Sequence, residues 1–190
     1  RPFEKNRAGL VPSGGAATVI IESLETARKR GAKILGEVIG YGFSSNGEHI
    51  SNPSVQGPAR SLKMAMKGSG LKVSEIDYIN AHATSTPAGD ASEAQAIGEV
   101  FGEVRTPVSS TKSMTGHECW MAGASEIVYS MLMMENSFIA PNINFETPDE
   151  HSARLNIITQ ATNKNIDVFL SNSFGFGGTN SSLIVKKWNN

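Results

Sequence analysis

The 190-residue sequence predicts an α/β sandwich built on a largely parallel sheet with an antiparallel finish. Short β-branched apolar runs alternate with amphipathic helical stretches, which is the pattern of strands covered by helices. The last two apolar runs are joined only by a glycine-rich stretch, as antiparallel neighbours are. Three strand ends open into polar loops at His82, Thr111 and Ser173, and such loops gather at one end of an α/β sheet. With 39% hydrophobic and 18% charged residues, 19 Gly and 8 Pro, the composition is that of a globular chain rich in turns.

Taken in order, Thr18 to Glu22 reads as a buried strand after the Gly14-Gly15 turn, and Glu25 to Arg30 as a short helix ended by Gly31. Ile34 to Gly42 is a second strand, followed by a polar loop from Ser44 to Gly57. Ala59 to Lys67 aligns Ala59, Leu62 and Met66 on one helical face and stops at Gly68 and Gly70. Asp77 to Asn80 is a strand leading into His82, and Ser92 to Phe101 is a helix with Ala94, Ile97 and Phe101 along one stripe. Pro107 to Ser110 is a short strand, Met121 to Glu135 a long apolar helix, and Pro141 to Pro148 an extended loop. Asn156 to Thr159, Val168 to Asn172 and Ser182 to Lys186 are the last strands.

Charge and cysteine usage narrow the function classes. A net charge of -1 offers no overall basic field to nucleic acid or an anionic membrane. The single thiol, Cys119, has no internal disulfide partner, and no Cys/His spacing resembles a zinc site. Arg1 to Arg7 lacks the apolar stretch of a signal peptide. The densest apolar run, Ile127 to Met134, falls far short of the ~20 residues of a membrane helix. The expectation is a soluble, cytoplasmic protein with neither nucleic acid nor membrane as partner.

Three loops carry the residues for chemistry. Asn80-Ala-His-Ala-Thr-Ser-Thr-Pro-Ala-Gly-Asp90 holds one imidazole and three hydroxyls, then a helix start with Asp90 and Glu93 in its first turns. A neutral His82 can donate to a developing oxyanion, and Thr84 and Thr86 can hold amides of an extended ligand. Taken alone, Thr84 and Thr86 as helix caps beside a hydrogen-bonded loop histidine is the plainer reading. Thr111-Lys-Ser-Met-Thr-Gly-His117 sets a second histidine near a helix N-terminus, which favours the neutral imidazole, with Lys112 placed to pair with Glu93 or Asp90. Ser171-Asn-Ser-Phe-Gly-Phe-Gly-Gly-Thr-Asn180 allows close backbone approach, and Phe176 inside the glycine run suits a gate. Cys119 lies two positions from His117; on a helix that is ~200° around the axis, so it reads as a buried, inert thiol.

Together the three loops resemble the C-terminal half of a β-ketoacyl-[acyl-carrier-protein] synthase, and the resemblance runs over essentially the whole chain. Thr179-Asn180 and the run from Phe138 to Asn144 look more like the type I bacterial synthase than type II. The resemblance implies a thiolase-like layered α/β sandwich, with a mixed five-stranded sheet in the C-terminal half. Residues 1–33 would be the tail of the N-terminal thiolase-like half and 34–190 the C-terminal half. It implies an acyltransferase catalysing decarboxylative Claisen condensation in fatty-acid or polyketide-type synthesis, with acyl carrier protein as partner and a homodimer as the assembled form. Substrates ride on the carrier's phosphopantetheine, with no permanently bound cofactor or metal.

By the same resemblance, His82 and His117 hold the malonyl thioester oxygen, and Lys112 supports their loop with Asp90 and Glu93 as acidic neighbours. Thr84 and Thr86 contact the pantetheine arm, and Phe176 gates the site while its N–H serves the oxyanion hole of acylation. The nucleophilic Cys of the family falls upstream of Arg1, so the chain reads as a fragment without condensing activity of its own. It is expected to self-associate through the apolar surface that the first half would cover. Two departures stand out: Ala83 replaces the usual Gly, and Glu118-Cys119-Trp120 replaces a small apolar stretch, with Trp120 expected to reshape the acyl or malonyl cavity. The structural expectations are His82 and His117 side by side, Phe176 close to them, and Lys112 paired with Glu93. The alternatives are a non-condensing partner subunit of a ketosynthase pair and a binding module without catalysis.

Overall fold

In the computed structural model, which describes residues 1–189, the chain opens with β1 (Pro12–Ser13), α1 (Leu24–Lys29), β2 (Gly36–Ser45) and α2 (Gln56–Ser69). Then come β3 (Tyr78–Asn80), α3 (Pro87–Phe101), β4 (Pro107–Ser109), α4 (Lys112–Thr115), β5 (His117–Glu118) and α5 (Ala122–Asn136). The closing elements are β6 (Phe138–Ile139), β7 (Asn156–Ile157), β8 (Thr162–Asn163), β9 (Val168–Gly175) and β10 (Thr179–Lys187). Among the described residues the main sheet has the order β2-β10-β9-β3-β4-β7. The β2–β10 and β10–β9 pairings are antiparallel, whereas β3, β4 and β7 continue parallel from β9. This is the mixed α/β sandwich that the alternation predicts. The sheet counts six strands instead of five because the two-residue β7 adds to the edge of β4.

The period of two along each strand divides the core between the two faces of the sheet. Ile79, Val168, Leu170 and Ile184 join Leu62, Met66, Ala94 and Ile97 on the α2–α3 side. Tyr78, Phe169 and Val185 join Met133, Met134, Ile139 and Ile166 on the α5 side. Each fully buried Leu or Ile here contributes about 1.5–3 kcal/mol. Residues Val168 to Asn172 are all buried, which is why the sequence there reads as an unbroken run.

The strand expected at Thr18 to Glu22 does not form. Val19, Ile20 and Ile21 are 42%, 81% and 76% exposed, and no described strand pairs with them. β-branched character alone does not make a strand without a neighbour to receive its hydrogen bonds. The following helix starts at Leu24, where Ser23 Oγ accepts from Thr26 N–H at 3.2 Å. Between β9 and β10 the glycine run becomes one 3-10 turn, Phe176–Gly178, with Gly177 and Gly178 at φ 78° and 76°.

Helix α2 lies so near β2 that the strand needs glycine. A Cβ built on Gly42 would meet Ser61 O at 1.8 Å, and one on Gly40 would meet Ala65 O at 2.5 Å. Both obstacles are helix backbone, which has no rotamer to yield. Gly42→Ala is therefore expected to lower the unfolding free energy by about 3 kcal/mol, measured by chemical denaturation. A variant as stable as the wild type would show that α2 shifts freely over the sheet.

Candidate active site

The C-terminal ends of the parallel strands converge on two histidines. Buried β3 runs out through Ala81 into His82, and β4 runs through Ser110 into α4 and then His117. The two half-buried imidazoles stand edge to face, with ring centroids 5.7 Å apart at 83°. Phe174 supplies the aromatic wall, its ring 5.7 Å from His82. Phe176, expected there, lies on the 3-10 turn two residues further on and is 78% exposed.

Two carboxylates of α3 seat the His82 loop, whose backbone has no sheet partner of its own. Glu93 accepts from His82 N–H at 3.0 Å, Ala83 N–H at 2.7 Å and Asn172 Nδ2 at 3.0 Å. Asp90 accepts from Thr84 N–H at 2.9 Å, Ser85 N–H at 3.1 Å and Phe3 N–H at 2.7 Å. Burial pushes Glu93 up to about 7 and Asp90 up to about 6, against the N–H donors that favour their ionised forms. Half-buried Thr84 and Thr86 share a hydrogen bond at 3.0 Å beside these carboxylates. Arg7 clamps the same loop from outside, donating to Thr86 O, Pro87 O and Glu4 O and to Asp149 Oδ2 at 2.6 Å.

Lys112 does not pair with Glu93 or Asp90. Its ammonium binds Glu126 of α5, and both side chains are almost wholly buried. The first turn of α4 faces α5, while Glu93 is already taken up by three donors on the α3 side. Burial pushes Glu126 up to about 7, with Lys112 pulling the other way. Burial also holds His82 well below its ordinary value, followed by the charge of Lys112 and by His117. His117 is lowered by burial and by Lys112, with Glu118 opposing. Both rings are therefore neutral near pH 7, through burial and the lysine where a helix N-terminus was expected to act.

The segment after His117 is a turn, not the start of a helix. Met121 N–H reaches Glu118 O at 3.2 Å, and Trp120 takes φ 74° at the third position. For a bulky side chain that conformation costs about 1–2 kcal/mol. The helical-wheel separation of Cys119 from His117 thus does not apply, although Cys119 is half-buried and its N–H is spent on His117 O at 2.8 Å. Trp120 is fully exposed in this half of the protein.

Several residues of the site escape sequence reasoning. A lone carboxylate inside the apolar run of α5 is a signal for Glu126, and an amide inside a buried strand is one for Asn172. Arg7 leaves no such signal, because its partner Asp149 lies 142 positions away.

Two neutral donors side by side at the strand ends of a mixed, helix-covered sheet define a site for stabilising a developing oxyanion. Residues 35–146 match the family described as beta-ketoacyl synthase, C-terminal domain, and the chain belongs to it. It is 48% identical over 187 residues to 3-oxoacyl-[acyl-carrier-protein] synthase 1 of Escherichia coli (strain K12), covering 98% of this chain and 45% of that protein. A crystal structure of a beta-ketoacyl synthase from Burkholderia phymatum STM815 superposes with a TM-score of 0.95 at 40% identity, over all of this chain and 46% of that one. The AntDE:AntF complex, a type II PKS acyl-carrier protein with its ketosynthase, superposes with a TM-score of 0.92 at 36% identity, over 99% of this chain and 47% of that one. The chain spans about half the length of these relatives.

Glu93 offers a stability test. Its carboxyl is raised from 4.5 to about 7 in the folded state, so folding takes up a proton between these values. The stability it contributes is present below pH 4.5 and is lost as the pH rises through about 7. The lowered histidines run the opposite way, so the readout is the difference between wild type and Glu93→Gln. Wild-type unfolding free energy relative to the variant should fall by about 3 kcal/mol between pH 4.5 and 7.5. A pH-independent difference would contradict the buried, raised carboxyl.

Proposed function

We propose that this chain is the second half of a 3-oxoacyl-[acyl-carrier-protein] synthase, and that it supplies the groups that decarboxylate malonyl-carrier protein. The observation that carries the reading is the perpendicular pair of neutral imidazoles 5.7 Å apart. A neutral imidazole donates through one nitrogen without giving up its proton. Two such donors converging on one thioester oxygen stabilise the negative charge that appears when the malonyl carboxylate leaves as CO2. The resulting carbanion attacks an acyl group held as a thioester on a cysteine of the first half. The new C–C bond forms and the cysteine thiolate leaves.

In this reading Thr84 and Thr86 hold the pantetheine arm, Asp90 and Glu93 seat their loop, and Lys112 keeps both rings neutral. Phe176 acts as the gate; its exposed position on a glycine turn leaves it free to swing. Residues 1–33 are the tail of the first half, its opening residues locked onto this one through Phe3, Arg7 and β1, and the rest of that half covers the apolar faces that this chain leaves open. Tyr41, Phe43 and Val38 on β2 are 56%, 49% and 46% exposed, and Ile20 and Ile21 are more so. Acyl carrier protein is the partner, in keeping with the carrier–ketosynthase complex among the structural relatives. A cytoplasmic homodimer is the assembled form. No helix among the described residues is long and apolar enough to cross a membrane. A non-condensing partner subunit has no use for two converging neutral donors, which favours the enzyme.

The test is CO2 release from malonyl-carrier protein by the full-length polypeptide. His82→Ala and His117→Ala should each lower the rate by about 100-fold or more, while acyl transfer to the cysteine persists. Lys112→Ala should lower decarboxylation strongly as well, since it leaves Glu126 buried without its cation. Histidine variants that release CO2 at the wild-type rate would overturn the reading.

A further inference from the structure

We propose that Glu118 is a positioning residue for His117, fastening the strained turn that carries the imidazole to helix α5. The proposal deepens the functional reading above and rests on it only for the catalytic consequence.

Successive side chains of the extended β5 point to opposite sides. On one side the His117 ring meets His82. On the other the Glu118 carboxylate, 8% exposed, turns toward α5. There Oε2 accepts from Ser125 Oγ at 2.5 Å and Oε1 from Tyr129 OH at 2.9 Å. Ser125 and Tyr129 are four residues apart, so both hydroxyls come from one face of the helix. A single carboxylate thus bridges two successive turns of α5.

The turn needs such a tether. Closure of Met121 N–H on Glu118 O puts Trp120 at the third position with φ 74°, where glycine or asparagine is the comfortable residue. A turn strained in this way persists only where its surroundings hold it. The backbone of His117 is held by the β1–β5 pairing, with its N–H on Val11 O at 2.7 Å, and its C=O accepts from Cys119 N–H at 2.8 Å; these bonds fix the backbone and leave the turn after it to Glu118.

Electrostatics do not explain the carboxylate. The groups that face His117 are Lys112 from α4, itself paired with Glu126 of α5, His82 beyond β3, and Glu118. Lys112 disfavours the imidazolium, whereas Glu118 favours it, against the neutral donor that the site uses. The two hydrogen bonds are what the carboxylate provides.

The full-length polypeptide and its variants are compared by CO2 release from malonyl-carrier protein and by 15N titration of the His117 imidazole. Glu118→Gln keeps an acceptor and gains a donor for the second hydroxyl, so its rate should stay near wild type. Loss of the negative charge should move the His117 titration, and the acid limb of the rate profile, to lower pH. Glu118→Ala should lower kcat by about 10- to 100-fold with KM little changed, because the imidazole loses its placement. Adding Trp120→Gly should recover part of that loss by relieving the turn. If Glu118→Ala does not fold, Ser125→Ala/Tyr129→Phe removes the same two bonds and should show the same loss. Wild-type kcat in Glu118→Ala, or in Ser125→Ala/Tyr129→Phe, would overturn the proposal. A wild type that releases no CO2 would remove the functional reading instead, and unchanged His117 imidazole shifts in Glu118→Ala would then overturn this proposal by themselves.

Discussion

A buried carboxylate on α3 holds the candidate site in register with the sheet. Glu93 takes the N–H groups of His82 and Ala83 and the amide of Asn172, joining the end of β3, the start of α3 and the middle of β9. Asn172 Oδ1 in turn accepts from Ser182 Oγ, which lies 3.0 Å from Ser61 Oγ of α2; the one Ser61 proton serves either Ser182 Oγ or Pro58 O. These side chains lie in the interior, where an unpaired polar group is costly. The His82 backbone is thereby tied to both helices on one face of the sheet. Close approach of α2 to β2, permitted by Gly40 and Gly42, brings Ser61 within reach of Ser182.

On the other face of the sheet, Lys112 and Glu126 form a buried pair whose cationic end is felt by both imidazoles. That arrangement serves two purposes with one charge. A positive potential beside the rings suppresses the imidazolium, and the same potential favours negative charge on an oxygen held between them. Burial acts in the same direction on the rings and strengthens every dipole that faces the oxygen. Glu126 completes the balance, because a buried charge without a partner is costly.

Much of this was legible in the sequence. The order of the main strands and helices follows from periodicity; His82 was marked by its position just beyond a strand end, and His117 by the polar loop that follows the next strand. What failed did so for identifiable reasons. Val19, Ile20 and Ile21 have the residue types of a strand, yet pairing is a tertiary event and no described partner strand is there. The partner of Lys112 was misassigned to the acidic residues at the start of α3, whereas α4 turns the ammonium toward Glu126 of α5, 14 positions on. Phe174 and Phe176 are indistinguishable in a glycine-rich run until the turn fixes which ring faces His82.

The account stands or falls on where the thioester oxygen sits. The most direct measurement is a crystal structure of the full-length polypeptide with a malonyl thioester analogue that does not lose CO2. Both imidazoles should donate to the thioester oxygen, at about 3 Å each, with the malonyl carboxylate left free of strong donors. An oxygen bound by backbone N–H groups elsewhere, with His82 and His117 contacting the carboxylate instead, would contradict the central claim.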